Sequence, residues 1–277
     1  MDSAFRRATM LKLGEQEMQW QDMTWPEIGA LDRDGTVLVL PVGSVEQHGH
    51  HMPTGTDTYL ATAVSAAAAA LVGPSVVVMP SPWYGLSAHH MRFPGTITLT
   101  AETMMALVGD IVASVVHHGF RRVVVVNGHG GNAGVIDVLA STLGHRFYGT
   151  ARIACLTYFT LARDAIAAAR ESRHGGMGHA CEFETSLMLH LHPDLVEQER
   201  AVVRYPETGT PYLSTDLVQG SIVRSFVAFD DLSESGTFGD PGLASGEKGK
   251  RFLAMSAEAL AAFLRDFATW PIPEKKP

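Results

Sequence analysis

The stretch Thr36 to Asp57, T-V-L-V-L-P-V-G-S-V-E-Q-H-G-H-H-M-P-T-G-T-D, joins an apolar run to a loop crowded with metal-binding side chains. Thr36 to Val42 has no charge and is rich in β-branched residues, the pattern of a strand buried on both faces of a parallel sheet. Pro41 weakens that reading, because proline donates no ladder hydrogen bond. In open α/β sheets ligands bind outside the carboxyl ends of the strands, which is where Glu46, His48, His50, His51 and Asp57 fall. Glu46 and His48 are one residue apart, so in extended backbone both side chains leave on the same side and can face one ion or a close pair. A solvated polar loop explains any one of these residues, but five potential ligands within twelve positions favour a site.

Outward from this stretch, strands and helices alternate. Thr56 to Val72 is expected to be helical, Ser75 to Pro80 a strand, and Thr100 to His118 a helix with Thr100 as N-cap. Arg121 to Val126 follows as a strand, Asn132 to Leu143 as a helix, Ala151 to Phe159 as a strand, and Arg163 to Ser172 and Cys181 to Leu191 as helices. Ser221 to Phe229 reads as a further strand and Ala244 to Phe267 as a long closing helix. Such alternation implies βαβ units, with helices on both faces of a mostly parallel sheet.

With 277 residues, 46% of them hydrophobic, the chain can bury a sizeable core, and no linker-like tract divides it, so residues 1–277 are expected to form one domain. A net charge of -8 without clustered Lys or Arg argues against nucleic acid or a membrane surface as partner and leaves small molecules and proteins. Arg6, Arg7 and Lys12 precede no continuous apolar core, so neither a signal peptide nor a membrane span is expected and the cytoplasm is the default. Cys155 and Cys181 lack C-x-x-C spacing. Cys181 with His179 as base is a conceivable nucleophile, although a small packing residue is the commoner role.

Two more motifs carry ligand chemistry. Val123 to Val126 ends in Asn127-Gly128-His129-Gly130-Gly131-Asn132, where glycines permit a sharp turn and His129 projects from the strand's carboxyl end. The same turn can cradle a phosphate at a helix N-terminus, so a phosphate or nucleotide-binding module is an alternative; the absence of G-K-[ST] and G-x-G-x-x-G weakens it. In His179-Ala180-Cys181-Glu182-Phe183-Glu184-Thr185-Ser186, His179 and Glu182 are three apart and would share a helix face. Glu184 would then point elsewhere and have a structural task.

Together these motifs resemble the creatininase (creatinine amidohydrolase) family. The resemblance rests on Gly43 to Asp57, on F-P-G-T at Phe93 to Thr96, on N-G-H-G-G-N at Asn127 to Asn132, on H-A-C-E-F-E-T-S-L at His179 to Leu187, and on G-D-P at Gly239 to Pro241 followed by Ala244 to Gly249. It implies a three-layer α/β/α sandwich, a homohexamer, and two divalent ions per subunit that hydrolyse a C–N bond of a small-molecule substrate through a bridging water or hydroxide. Carried over, Glu46 and His129 would hold one ion, His48 the other, Asp57 would bridge them, and His179 would donate a proton to the departing nitrogen. Carboxylate and imidazole ligands without thiolate suit zinc, manganese or ferrous iron.

Creatininases proper carry N-G-H-Y-E-N, whose glutamate ligates the second ion; here that position is Gly131 and the tyrosine position is Gly130. Glu182 is therefore expected to supply the missing carboxylate. Ser172 to Gly178 reads as a flexible rim, and the family's aromatic wall is replaced by Gly130 and Gly175, which makes creatinine a poor candidate substrate. A metal-dependent lyase, isomerase or ring hydrolase of a polyol or sugar-like substrate is the alternative that keeps the metals.

Overall fold

The computed structural model describes residues 18–274; Arg6, Arg7 and Lys12 lie outside the described residues. Apart from short helices such as Trp25–Gly29 and Tyr158–Leu161, the elements are β1 (Val37–Val42), α1 (Thr56–Val72), β2 (Val76–Val78), α2 (Ala101–His117), β3 (Arg122–Asn127), α3 (Ala133–Arg146), β4 (Arg152–Thr157), α4 (Arg163–Ala169), β5 (Met177–His179), α5 (Glu182–Leu191), β6 (Phe238–Gly239) and α6 (Gly246–Thr269). The first four strands form a parallel sheet in the order β2-β1-β3-β4.

Alternation along each strand sorts the apolar side chains into two cores. Val37, Val39, Val76, Val78, Val124 and Val126 pack with Leu60 and Val64 of α1, Leu187 of α5 and Leu260 and Leu264 of α6. Leu38, Leu40, Val77, Val123 and Val125 pack with Val108 and Val112 of α2 and with Ile136 and Leu139 of α3 on the other face. The result is the expected α/β/α arrangement. Each fully buried aliphatic side chain is worth ~1.5–3 kcal/mol over exposure, so the sheet stands without help from the polar groups at its end. No helix among the described residues is long and apolar enough to cross a membrane.

Pro41 sits inside β1, and the ladder shows why it is tolerated. Val37 and Val39 bond towards β2, through Val37 N–H to Ser75 O and Met79 N–H to Val39 O, whereas Val42 O accepts from Gly128 on the β3 side. Position 41 therefore faces the β2 side, and β2 pairs with Val37 to Val39 alone. No ladder hydrogen bond is lost.

Thr100 caps α2 as expected, its hydroxyl accepting from Thr103 N–H at 3.2 Å. Two expectations are corrected. Ser221 to Phe229 is not a strand: among the described residues it joins no ladder, although Val223 N–H donates to Tyr212 O, and Ile222 and Phe226 remain exposed. Ser172 to Gly178 is no loose rim, since Met177–His179 pairs antiparallel with Phe238–Gly239 and Gly175 N–H donates to the Asp216 carboxylate at 2.8 Å.

Strand order reverses between β1 and β3: the chain leaves β1 towards β2, then crosses back to β3 and β4. Such a switch point opens a crevice at the carboxyl ends of the two strands. The first two motifs both empty into it.

Candidate metal centre

Six side chains meet in that crevice. Glu46 and His48 leave β1, His129 leaves β3, Asp57 lies in the first turn of α1, His179 ends β5, and Glu184 lies in the first turn of α5. All are buried. Asp57 Oδ1 is 3.2 Å from His48 Nε2, and its Oδ2 is 3.0 Å from His129 Nδ1. Glu46 Oε2 lies 3.3 Å from His129 Nε2, Glu184 Oε1 3.9 Å from His48 Nε2, and His179 Nδ1 3.6 Å from Glu46 Oε1. Four sets have the spacing to hold an ion: Glu46–His48–His179, Glu46–His89–His90, Glu46–Asp57–His129 and His48–Asp57–Glu184; the last two share Asp57.

Backbone carbonyls fix the rings. In their neutral forms His48 donates from Nδ1 to Glu46 O (3.2 Å), His129 from Nε2 to Leu86 O (2.9 Å), and His179 from Nε2 to Gln47 O (2.7 Å). Each ring then turns its remaining nitrogen lone pair to the cluster, the way outer-shell carbonyls orient metal-binding imidazoles. Glu46 Oε1, His48 Nε2 and Asp57 Oδ2 are buried without a hydrogen-bond partner. Buried polar atoms are normally paired, so these converging unpaired oxygens and nitrogens fit a cation. Oxygen and imidazole donors suit zinc, manganese or ferrous iron.

The electrostatics agree. Burial pushes the Glu46 carboxyl up to about 7, with Asp57 adding to the rise and His129 opposing it. Burial works against charge on His48 and His129, yet Asp57 raises His48 to about 10, and Glu46 with Asp57 raises His129 to about 9. Burial would raise Asp57 as well, but the two imidazoles hold it far below the usual carboxylate range. Without metal the cluster thus draws in positive charge as protons. An ion must displace those protons, so affinity falls as pH falls through the range where both rings are charged. Zinc titrations are expected to show weaker binding at about pH 6 than at about pH 8, with proton release; pH-independent affinity would contradict this.

Glu182 is the correction. Its carboxylate faces away from the cluster, accepts from Glu171 N–H (3.0 Å) and Ser172 N–H (2.9 Å), and pairs with buried Lys248 Nζ at 2.9 Å. His179 and Glu182 do not share a helix face, because His179 is not helical: Ala180 adopts φ 50°, the chain turns, and α5 starts only at Glu182. Glu184 occupies the position expected of Glu182, with Ala180 N–H donating to its Oε2 at 2.6 Å. Gly131 has no room for a side chain, since a Cβ there would meet Leu86 O at 2.3 Å. The carboxylate of creatininases proper cannot return on this loop as it is folded.

Of the other histidines, His50 is exposed, His51 Nε2 pairs with Thr185 Oγ1 at 2.9 Å, and His89 stacks on His129. Arg92 is held by Asp230 and Asp231, both at 2.8 Å. Cys181 is buried, its thiol held far above the ordinary range chiefly by burial, and its Sγ donates to Glu184 Oε2 at 3.8 Å. That excludes a resting thiolate, and Cys181→Ala is expected to keep activity within a few-fold. An acyl-enzyme trapped on Cys181 would contradict this. Gln47 and His90, unassigned from the sequence, are also at the cluster: Gln47 Nε2 lies 2.9 Å from His90 Nδ1, and His90 Nε2 lies 3.3 Å from Glu46 Oε1. A cavity of about 660 Å³ runs outward from Glu46, Asp57, His129 and Glu184 to Arg163, Arg224 and Phe226.

A family described as creatinine amidohydrolase matches residues 21–264. The chain belongs to the creatininase family. It is 34% identical to a creatinine amidohydrolase of Pseudomonas putida over 259 residues, covering 88% of this chain and 95% of that protein. It is 32% identical to a mycofactocin precursor peptide peptidase of Mycobacterium tuberculosis over 248 residues, covering 86% and 87% of the two chains. Among solved creatininase structures, a manganese form superposes with a TM-score of 0.76 at 32% identity, covering 91% of this chain and 98% of that one. A mutant of Zn-Zn type gives 0.75 at 32% identity, covering 90% and 97%. As a creatininase-family enzyme the chain is a hydrolase acting on carbon–nitrogen bonds.

Proposed function

We propose that this hydrolase cleaves an amide-type bond of a small molecule or short peptide at a dinuclear divalent-metal site. The observation that carries the reading is Asp57, whose two carboxylate oxygens face His48 at 3.2 Å and His129 at 3.0 Å. Glu46, Asp57 and His129 would hold one ion, and His48, Asp57 and Glu184 the other, which gives each the three protein ligands common in catalytic sites. When bound, such ions acidify a water towards a pKa of ~7 and polarise a carbonyl.

His179 moves the proton. Burial, with His48 beside it, holds its imidazole well below the ordinary range, so it rests neutral with Nε2–H anchored on Gln47 O and Nδ1 free towards the cluster. A neutral base at that point accepts a proton from the attacking water and delivers it to the departing nitrogen. The same cycle needs no covalent intermediate.

A cavity of about 660 Å³ falls in the range that takes drug-sized ligands. With Gly130 and Gly175 in place of the aromatic wall of creatininases proper, the pocket offers no stacking slot for a flat ring at those positions. Creatinine is therefore expected to be a poor substrate. A panel of creatinine, lactams, N-formyl amides and short peptides, read by amine release with zinc or manganese, should yield turnover that a chelator abolishes. No release from any of them with either metal would contradict the reading. A homohexamer belongs to the same proposal and is checked by light scattering.

A further inference from the structure

His90 is fully buried on the cluster, and its hydrogen bonds determine where its proton sits. Gly49 N–H donates to Gln47 Oε1 at 2.8 Å, which fixes the amide so that Nε2 is the atom turned to the histidines. Gln47 Nε2 can only donate, and it lies 2.9 Å from His90 Nδ1, so Nδ1 is an acceptor and the ring proton is on Nε2. The Nε2–H points at the cluster, 3.3 Å from Glu46 Oε1, and no hydrogen-bond partner satisfies it. The ring is held in a packed setting, with Phe229 at 4.0 Å, His89 at 4.3 Å and His179 at 4.7 Å between centroids. His179 has the opposite polarity: its Nε2 lies 3.0 Å from Gln47 Nε2 but 2.7 Å from the Gln47 carbonyl oxygen, and with the two Gln47 amide protons directed to His90 Nδ1 and to Gly236 O (3.2 Å), His179 donates from Nε2 to that carbonyl and turns its lone pair towards the cluster.

An imidazole that presents N–H is not built to ligate, because a metal needs the lone pair that the proton occupies. It is also a weak acid for complete transfer, since losing the proton would leave an imidazolate. What remains is a fixed, preorganised hydrogen-bond donor beside the reacting atoms, the role that neutral histidines fill where a carbonyl oxygen gains charge. We propose that His90 is a catalytic residue that donates a hydrogen bond from Nε2 to the substrate oxygen that becomes negative during attack, while Gln47 holds its tautomer. This rests on the hydrolytic reading above and divides the work between two adjacent imidazoles, His179 accepting and His90 donating.

The test uses inorganic phosphate as a tetrahedral oxyanion and the zinc-loaded full chain. Calorimetric Kd values are compared for the native protein, His90→Phe and His90→Gln, with zinc content measured in each. Losing a hydrogen bond to a charged acceptor predicts roughly ten- to a hundred-fold weaker phosphate binding in His90→Phe, at unchanged zinc content. His90→Gln, whose amide still donates, should fall between. Equal phosphate affinity in all three, or loss of zinc from His90→Phe, would overturn the proposal. A crystal structure of the native protein with zinc and phosphate decides independently of folding in the variants: His90 Nε2 is expected within ~3.2 Å of a phosphate oxygen, and a bond from Nε2 to zinc would overturn it. Failure of the native protein to take up zinc would instead sink the hydrolytic reading itself.

Discussion

Glu184→Gln is expected to leave about one divalent ion per chain and to suppress turnover, because His48 and the shared Asp57 alone fall short of the three protein ligands such an ion prefers. The isosteric amide can still accept from Ala180 N–H, now 2.6 Å from Glu184 Oε2, so the turn into α5 survives and the loss is one of ligation. The drop in affinity should exceed the roughly 10- to 100-fold that removal of an outer-shell partner costs. Glu182→Ala should do the reverse. Both ions are expected to stay, while stability falls on the order of 3 kcal/mol, since Lys248 keeps its exposed partner Glu171 but loses the buried one. Metal analysis and thermal melting of the two variants read these outcomes directly, and loss of an ion from Glu182→Ala with full occupancy in Glu184→Gln would reverse the assignment.

His179→Ala is expected to cut kcat by ~10²- to 10⁴-fold, the usual worth of a general acid–base group. Its Nδ1 lies 3.6 Å from Glu46 and it has the spacing to join Glu46 and His48 around an ion, but the two sets that share Asp57 are complete without it, so zinc content is expected not to change. The fold should persist, because the sheet core that carries the crevice does not include its ring. Unchanged turnover would remove His179 from proton transfer, and a lost ion would make it a ligand.

The strands and the crevice were legible because their signals are local. Val37 to Val42 and Val123 to Val126 are apolar on both faces, which only a covered parallel strand accommodates, and ligands crowd their carboxyl ends. Glu46, His48, Asp57 and His129 follow from that placement. The choice between Glu182 and Glu184 was not legible, since it depends on one residue in a left-handed conformation, Ala180, and on Lys248 of α6, 66 positions away from Glu182. Likewise Ser221 to Phe229 has β-like composition, but strand formation requires a partner edge that the fold does not bring to it. His90 could be suspected only from its place on the loop after the Ser75 to Pro80 strand; its tautomer depends on Gln47, 43 positions away.

In the proposed site Asp57 would be shared by two ions, and metal stoichiometry tests this most directly. Protein purified without chelator and supplemented with zinc or manganese is expected to hold two ions per chain by elemental analysis, and Asp57→Ala to hold almost none, because both of the sets proposed to hold the ions depend on that carboxylate. One ion or none in the native chain after supplementation, or two ions retained by Asp57→Ala, would contradict the account.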